Sequence, residues 1–142
     1  MLRWQPGLAV GVPTIDEQHR ELFRQVNLVL AALGDERGAA EVGRLLEYLG
    51  RYAVEHFAAE ERLMRDTRYP EQEPHRREHV DFVQAFQEVC RSYLAQGPRP
   101  AVVVRLNVWL CSWLRRHVGQ TDQALGRHLA RAAAVQQGAA SP

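Results

Sequence analysis

A histidine and a carboxylate four residues apart on a helix project from one face toward one point, and His56-Phe57-Ala58-Ala59-Glu60 is such a pair. His75-Arg76-Arg77-Glu78-His79 repeats the spacing with two imidazoles, His117 and Asp122 follow, and His19 stands alone upstream. The chemistry open to these groups is metal ligation. Imidazole and carboxylate without cysteine suit iron, zinc or manganese rather than copper(I) or an iron–sulfur cluster. Seven donors exceed what one ion takes. Shared by two six-coordinate ions, with both carboxylates and one oxygen bridging, they leave one position open for a small exogenous ligand. His19 taken singly reads as an ordinary core histidine. Taken together that reading fails, because buried imidazoles and carboxylates are costly unless paired or metal-bound, and of the six histidines only His128 lies off the core stripes.

Helices must hold these donors at one level. Residues 1–13, with Trp4, Pro6, Gly7, Gly11 and Pro13, resist helix and strand and read as an arm lying on the domain. Thr14-Ile15-Asp16-Glu17 reads as a capping box opening helix A, 14–33, whose stripe Leu22, Phe23, Val26, Leu30 and Leu33 shares its face with His19. Gly34 to Gly38 ends it. Helix B, 39–66, carries Val42, Leu45, Leu49, Tyr52, His56, Glu60 and Leu63, and the proline-bearing stretch Asp66–Pro74 is a turn. Helix C, 74–95, presents His75, His79, Phe82, Phe86, Val89 and Tyr93, and Gln96 to Pro100 stops it. Helix D, 101–118, presents Val103, Leu106, Leu110, Trp113, Leu114 and His117. His117 and Asp122 are five apart, which on an ideal helix turns them about 140° away from each other. A helix end or a local distortion near Gly119 would have to bring them together. A weak stripe at Leu125, Leu129 and Ala132 predicts a tail helix, 122–135, with Gln136 to Pro142 frayed.

These elements predict an all-α fold, an up-down-up-down antiparallel four-helix bundle with an N-terminal arm and a short C-terminal helical tail, forming one domain over 1–142. Eighteen basic and seventeen acidic residues, net +1, mix along the chain without a basic block, which argues against nucleic acid and an anionic membrane surface. Ala101 to Leu114 is interrupted by Arg105, Asn107 and Ser112 and is shorter than the roughly 20 residues of a spanning helix. The start of the chain, broken by Pro6 and Gly7, does not read as a signal peptide, so a cytoplasmic location is expected. Cys90 and Cys111 are too few and too far apart for a metal or redox motif and are assigned no function.

Four spaced motifs in order resemble the hemerythrin family, specifically its single-domain bacterial members. They are Ile15-Asp16-Glu17-Gln18-His19, His56-Phe57-Ala58-Ala59-Glu60-Glu61, His75-x-x-x-His79 with Phe82, and Trp113-Leu114-x-x-His117-Val118-x-x-x-Asp122. The resemblance spans residues 4 to about 125. It implies two non-heme iron ions with a bridging oxo or hydroxo group, one held by His75, His79 and His117, the other by His19 and His56, with Glu60 and Asp122 bridging. It further implies reversible dioxygen binding at the ion with two histidines, for storage, delivery or sensing, in a pocket lined by Leu114, Val118 and Trp113. No catalytic residue is expected, since no acid or base beyond the ligands falls on the core stripes nearby. The competing readings are a di-iron redox enzyme (oxidase, peroxidase or nitric oxide reductase) and an iron-handling regulatory module, with any protein partner unspecified.

Overall fold

The computed structural model describes residues 2–32 and 37–140, the side chains of 139 and 140 excepted. A 3₁₀ turn, Pro6–Leu8, interrupts the arm, and five α-helices follow: α1 Pro13–Ala32, α2 Arg37–Asp66, α3 Gln72–Gln96, α4 Pro100–Arg116 and α5 Asp122–Ala140. Between α4 and α5 lies a π-helical turn, His117–Thr121, so the last two helices form one interrupted rod. Successive helices pack on one another, α1 on α2, α2 on α3 and α3 on α4. The fold is an all-α four-helix bundle.

Apolar spacing explains which faces turn inward. Leu22, Val26 and Val29 of α1, Val42, Leu45 and Leu49 of α2, Phe82 of α3 and Leu106 and Leu110 of α4 are buried in one cluster. Fully burying a side chain of this size contributes about 1.5–3 kcal/mol. Proline opens both α1 and α4, where its missing N–H leaves no hydrogen bond unmade. Gly97, at φ +72°, closes α3 and donates its N–H to the Tyr93 carbonyl at 2.7 Å.

Two local expectations change. The start of α1 is tied by Asp16 rather than by a Thr14–Glu17 box: its carboxylate accepts the N–H of Val10 at 2.7 Å and of Gly11 at 3.2 Å, while Glu17 pairs outward with Arg20. The bond partners therefore come from the arm. The arm is pinned further by Asn27, which pairs with both backbone groups of Leu2, and by Trp4, whose ring meets Phe23 edge-on at 5.8 Å. The tail is helical through Ala140, so the fraying expected from Gln136 is not seen up to that residue. Ser141 and Pro142, like Leu33 and Gly34 to Glu36 of the expected first turn, lie outside the described residues. Arg37 and Gly38 belong to α2. Among the described residues no helix is long and apolar enough to cross a membrane.

Candidate metal centre

All seven donor residues are buried, and each sits where its helix brings it to a common depth. His19 comes from α1, His56 and Glu60 from α2, His75 and His79 from α3; His117 and Asp122 flank the π turn. The π turn resolves the five-residue spacing, because the Asp122 N–H bonds to the His117 carbonyl, five residues back, and both side chains face the core. Gly119 is not the cause: a Cβ there meets nothing within 4 Å, and its φ is not left-handed.

Glu60 stands at the middle. One oxygen lies 2.8 Å from His56 Nε2 and 3.7 Å from His19 Nε2, the other 3.0 Å from His75 Nε2, 2.9 Å from His79 Nε2 and 3.7 Å from His117 Nε2. Asp122 is arranged alike, with one oxygen 3.1 Å from His19 Nε2 and the other 3.2 Å from His75 Nε2 and 3.1 Å from His117 Nε2. The donors form two groups, Glu60 with His75, His79 and His117, and Glu60 and Asp122 with His19 and His56, the ligand atoms of each group within 4.8 Å of one another. Sequence reasoning named all seven, and the structure brings all seven together.

The arrangement fits cations better than it fits hydrogen bonds. Glu60 Oε1, both Asp122 oxygens and His117 Nε2 are buried without a hydrogen-bond partner although these atoms lie close to other donors and acceptors. Their spacing is short, yet none of these atoms makes a hydrogen bond. Two ligands about 2.1 Å from an ion and at right angles to each other lie about 3 Å apart, which is the separation found between His19 Nε2 and His56 Nε2, 3.1 Å.

Charge is also concentrated here. Burial alone would lower the pKa of His19 and of His75, but the adjacent Asp122 and Glu60 carboxylates outweigh it and raise each from 6.5 to about 9. Burial would raise Glu60, yet the adjacent imidazoles of His56, His117 and His19 hold it well below the carboxylate range. Asp122 is likewise depressed, burial and Glu60 opposing the shift and His117 and His19 driving it. Without ions, protons carry the positive charge that the carboxylates demand.

Aromatic rings and aliphatic side chains wall the centre. Phe57 stacks on His79 at 3.9 Å, Trp113 on His117 at 4.3 Å and Tyr52 on His56 at 4.5 Å. Leu114 and Val118, expected to line a ligand pocket with Trp113, are buried in the same cluster. Met64 and Leu125, each about one turn from a donor on its own helix, form with Tyr69 a second buried apolar cluster.

Two residues escaped sequence reasoning. The amide oxygen of Gln18 is 2.6 Å from His56 Nδ1, and a carboxylate oxygen of Glu78 is 2.6 Å from His117 Nδ1. Both oxygens only accept, so each Nδ1 donates and each Nε2 lone pair is left for the centre. Gln18 precedes His19 and Glu78 precedes His79, and each reaches a histidine on the next helix. That adjacency to a ligand was the only available signal, since both lie off the apolar stripes. Cys90 and Cys111 are half-buried free thiols that belong to neither donor group, and His128 bonds the Thr67 carbonyl at 2.9 Å.

Residues 10–129 match the hemerythrin HHE cation binding domain family. A bacteriohemerythrin of Stenotrophomonas maltophilia (strain R551-3) is 32% identical over 87% of this chain and 78% of its own length. A bacteriohemerythrin of Pseudomonas aeruginosa (strain LESB58) is 31% identical over 85% of this chain and 76% of its own length. A myohemerythrin of Theromyzon tessulatum is 27% identical over 84% of this chain and 87% of its own length.

Proposed function

The chain belongs to the hemerythrin family, and from that premise we propose that it binds dioxygen reversibly at two non-heme iron ions, for oxygen storage, delivery or sensing. The observation that carries the reading is the convergence of seven buried donors into two groups that share Glu60. His75, His79 and His117 would hold one ion, His19 and His56 the other, with Glu60, Asp122 and an oxo or hydroxo group between them. When bound, such a pair supplies two one-electron redox sites and one vacant coordination position.

The chain's own residues determine what happens around that position. Unequal ligation, three imidazoles against two, would leave the vacancy on the side of His19 and His56. Leu114, Val118 and Trp113, all buried, exclude water and therefore protons from a bound ligand. Phe57, stacked on His79, and Tyr52, stacked on His56, hold the imidazole planes. Five neutral imidazoles with only two carboxylates stabilise oxidised iron less than a carboxylate-rich set does, which favours release of the ligand over its consumption. The protein is read as a binding protein rather than an enzyme.

The test is iron content with the visible spectrum of anaerobically reduced protein, before air is admitted, after, and after its removal. Two irons per chain and an oxygen-dependent band that disappears on deoxygenation are expected. Irreversible conversion would overturn reversible binding in favour of a redox enzyme, and absence of iron would overturn the metal assignment.

A further inference from the structure

Gln18 and Glu78 hold equivalent places and differ in charge. Each precedes a donor histidine, each crosses to the next helix, and each accepts the Nδ1–H of the histidine found there, at 2.6 Å in both cases. Gln18 offers His56 a neutral amide. Glu78 offers His117 a carboxylate, whose second oxygen accepts the Thr121 hydroxyl at 3.0 Å. Thr121 is the last residue of the π turn, so the distortion that presents Asp122 also fixes Glu78. Among the described residues the remaining donors lack such partners: Nδ1 of His19, His75 and His79 is buried without a hydrogen bond, and Glu61 is 3.9 Å from His79 Nδ1, out of bonding range.

An anionic acceptor on Nδ1–H pushes electron density through the ring and makes Nε2 a stronger donor than a neutral acceptor does. We propose that Gln18 and Glu78 are positioning residues that make the two halves of the centre electronically unequal, the His117 side enriched by Glu78 and the His56 side left poorer by Gln18. The inference rests on the ligand assignment above. Its consequence is that the ion on the His75, His79 and His117 side is the easier one to hold oxidised, while the side with the vacancy keeps its reduced state longer and releases its ligand more readily.

Exchanging the two acceptors tests this. Glu78→Gln and Gln18→Glu are nearly isosteric, lie at partly exposed positions, and both keep an oxygen for the Nδ1–H. Iron per chain, chelator competition for iron, and the reduction potentials from a spectroelectrochemical titration are read for the wild type and each variant. Glu78→Gln is expected to keep two irons, bind them about 10–100-fold more weakly, and shift the potential positive. Gln18→Glu is expected to shift it negative. Thr121→Val, which leaves Glu78 in place but releases its second oxygen, should give a smaller positive shift and serves if Glu78→Gln does not fold. Unshifted potentials, or shifts of the same sign in both exchanges, with two irons bound would overturn the proposal and leave the ligand assignment standing. A wild type that does not take up two irons would overturn the ligand assignment instead.

Discussion

Replacing Glu60 by glutamine removes one negative charge from the centre while leaving the side chain's volume almost unchanged. In the metal-free protein His19 and His75 are each raised from 6.5 to about 9. At 1.36 kcal/mol per pH unit, that rise corresponds to about 3 kcal/mol of stabilisation for each imidazole. Glu60 and Asp122 share the cause, so Glu60 accounts for roughly half of each, or about 3 kcal/mol over the two. Breaking a buried pair by removing one partner costs about 3–5 kcal/mol, in agreement. The sign follows from linkage. Raised histidines stabilise fully below about pH 6.5 and lose that contribution as pH rises through about 9; the depressed Glu60 carboxylate stabilises above about pH 4.5 and loses it in acid. The deficit of Glu60→Gln should therefore be largest near pH 5.5 and shrink toward pH 9. Urea unfolding of chelator-treated wild type and variant at pH 5.5, 7 and 9, with unchanged m-values, measures it. A deficit below about 1 kcal/mol at pH 5.5, or one that does not change with pH, would refute the reasoning. Iron uptake by the variant should fall below two per chain.

Other perturbations probe other parts of the molecule. Leu114→Ala, at a side chain only 2% exposed, should cost about 2–5 kcal/mol and speed autoxidation of reduced, iron-loaded protein; an unchanged rate would remove Leu114 from the ligand pocket. Gly126→Ala places a Cβ 2.9 Å from the Val10 carbonyl oxygen and 3.0 Å from its Cα, so the arm must shift, at about 1–3 kcal/mol. Trypsin should then cut faster after Arg3, and an unchanged rate would contradict that packing. Because ligands bind metal deprotonated and His19 and His75 sit near 9 without it, loading at pH 7 should release protons. Apparent affinity should rise with pH up to about 9, and calorimetry in buffers of different ionisation enthalpy that detects no release would refute this.

Most of the site was legible because ligands on stripes obey the same periodicity as the core. His56 and Glu60 are four apart, as are His75 and His79, and both pairs fall in register with neighbours such as Leu49 and Phe82 that had to be buried anyway. The link between His117 and Asp122 was legible only as a conflict, since their spacing broke the α period. The π turn that resolves it is selected by tertiary contacts and has no local sequence preference to betray it. Asp16 was hidden for a different reason, because its partners lie in the arm, whereas Thr14 and Glu17 matched a local pattern that the arm made unnecessary. Gln18 and Glu78 read as surface residues, and what distinguishes them is the neighbouring helix.

The π turn gives the chain one residue more per turn than its surroundings, and that surplus acts as a phase setting for everything beyond it. Deleting a single residue between His117 and Asp122 would keep every donor in the composition and restore regular α-helix. His117 and Asp122 would then stand four apart, still on one face, whereas one further residue wound as regular α-helix would rotate α5 by about 100° and push it on by about 1.5 Å relative to the bundle. Asp122 would leave the centre, Leu125 would leave Met64 and Tyr69, and Gly126 would no longer present its bare backbone to Val10. Insertions that a loop would absorb are thus forbidden in this stretch, and a donor, an apolar seal and the seat of the N-terminal arm are geared together through five residues of backbone.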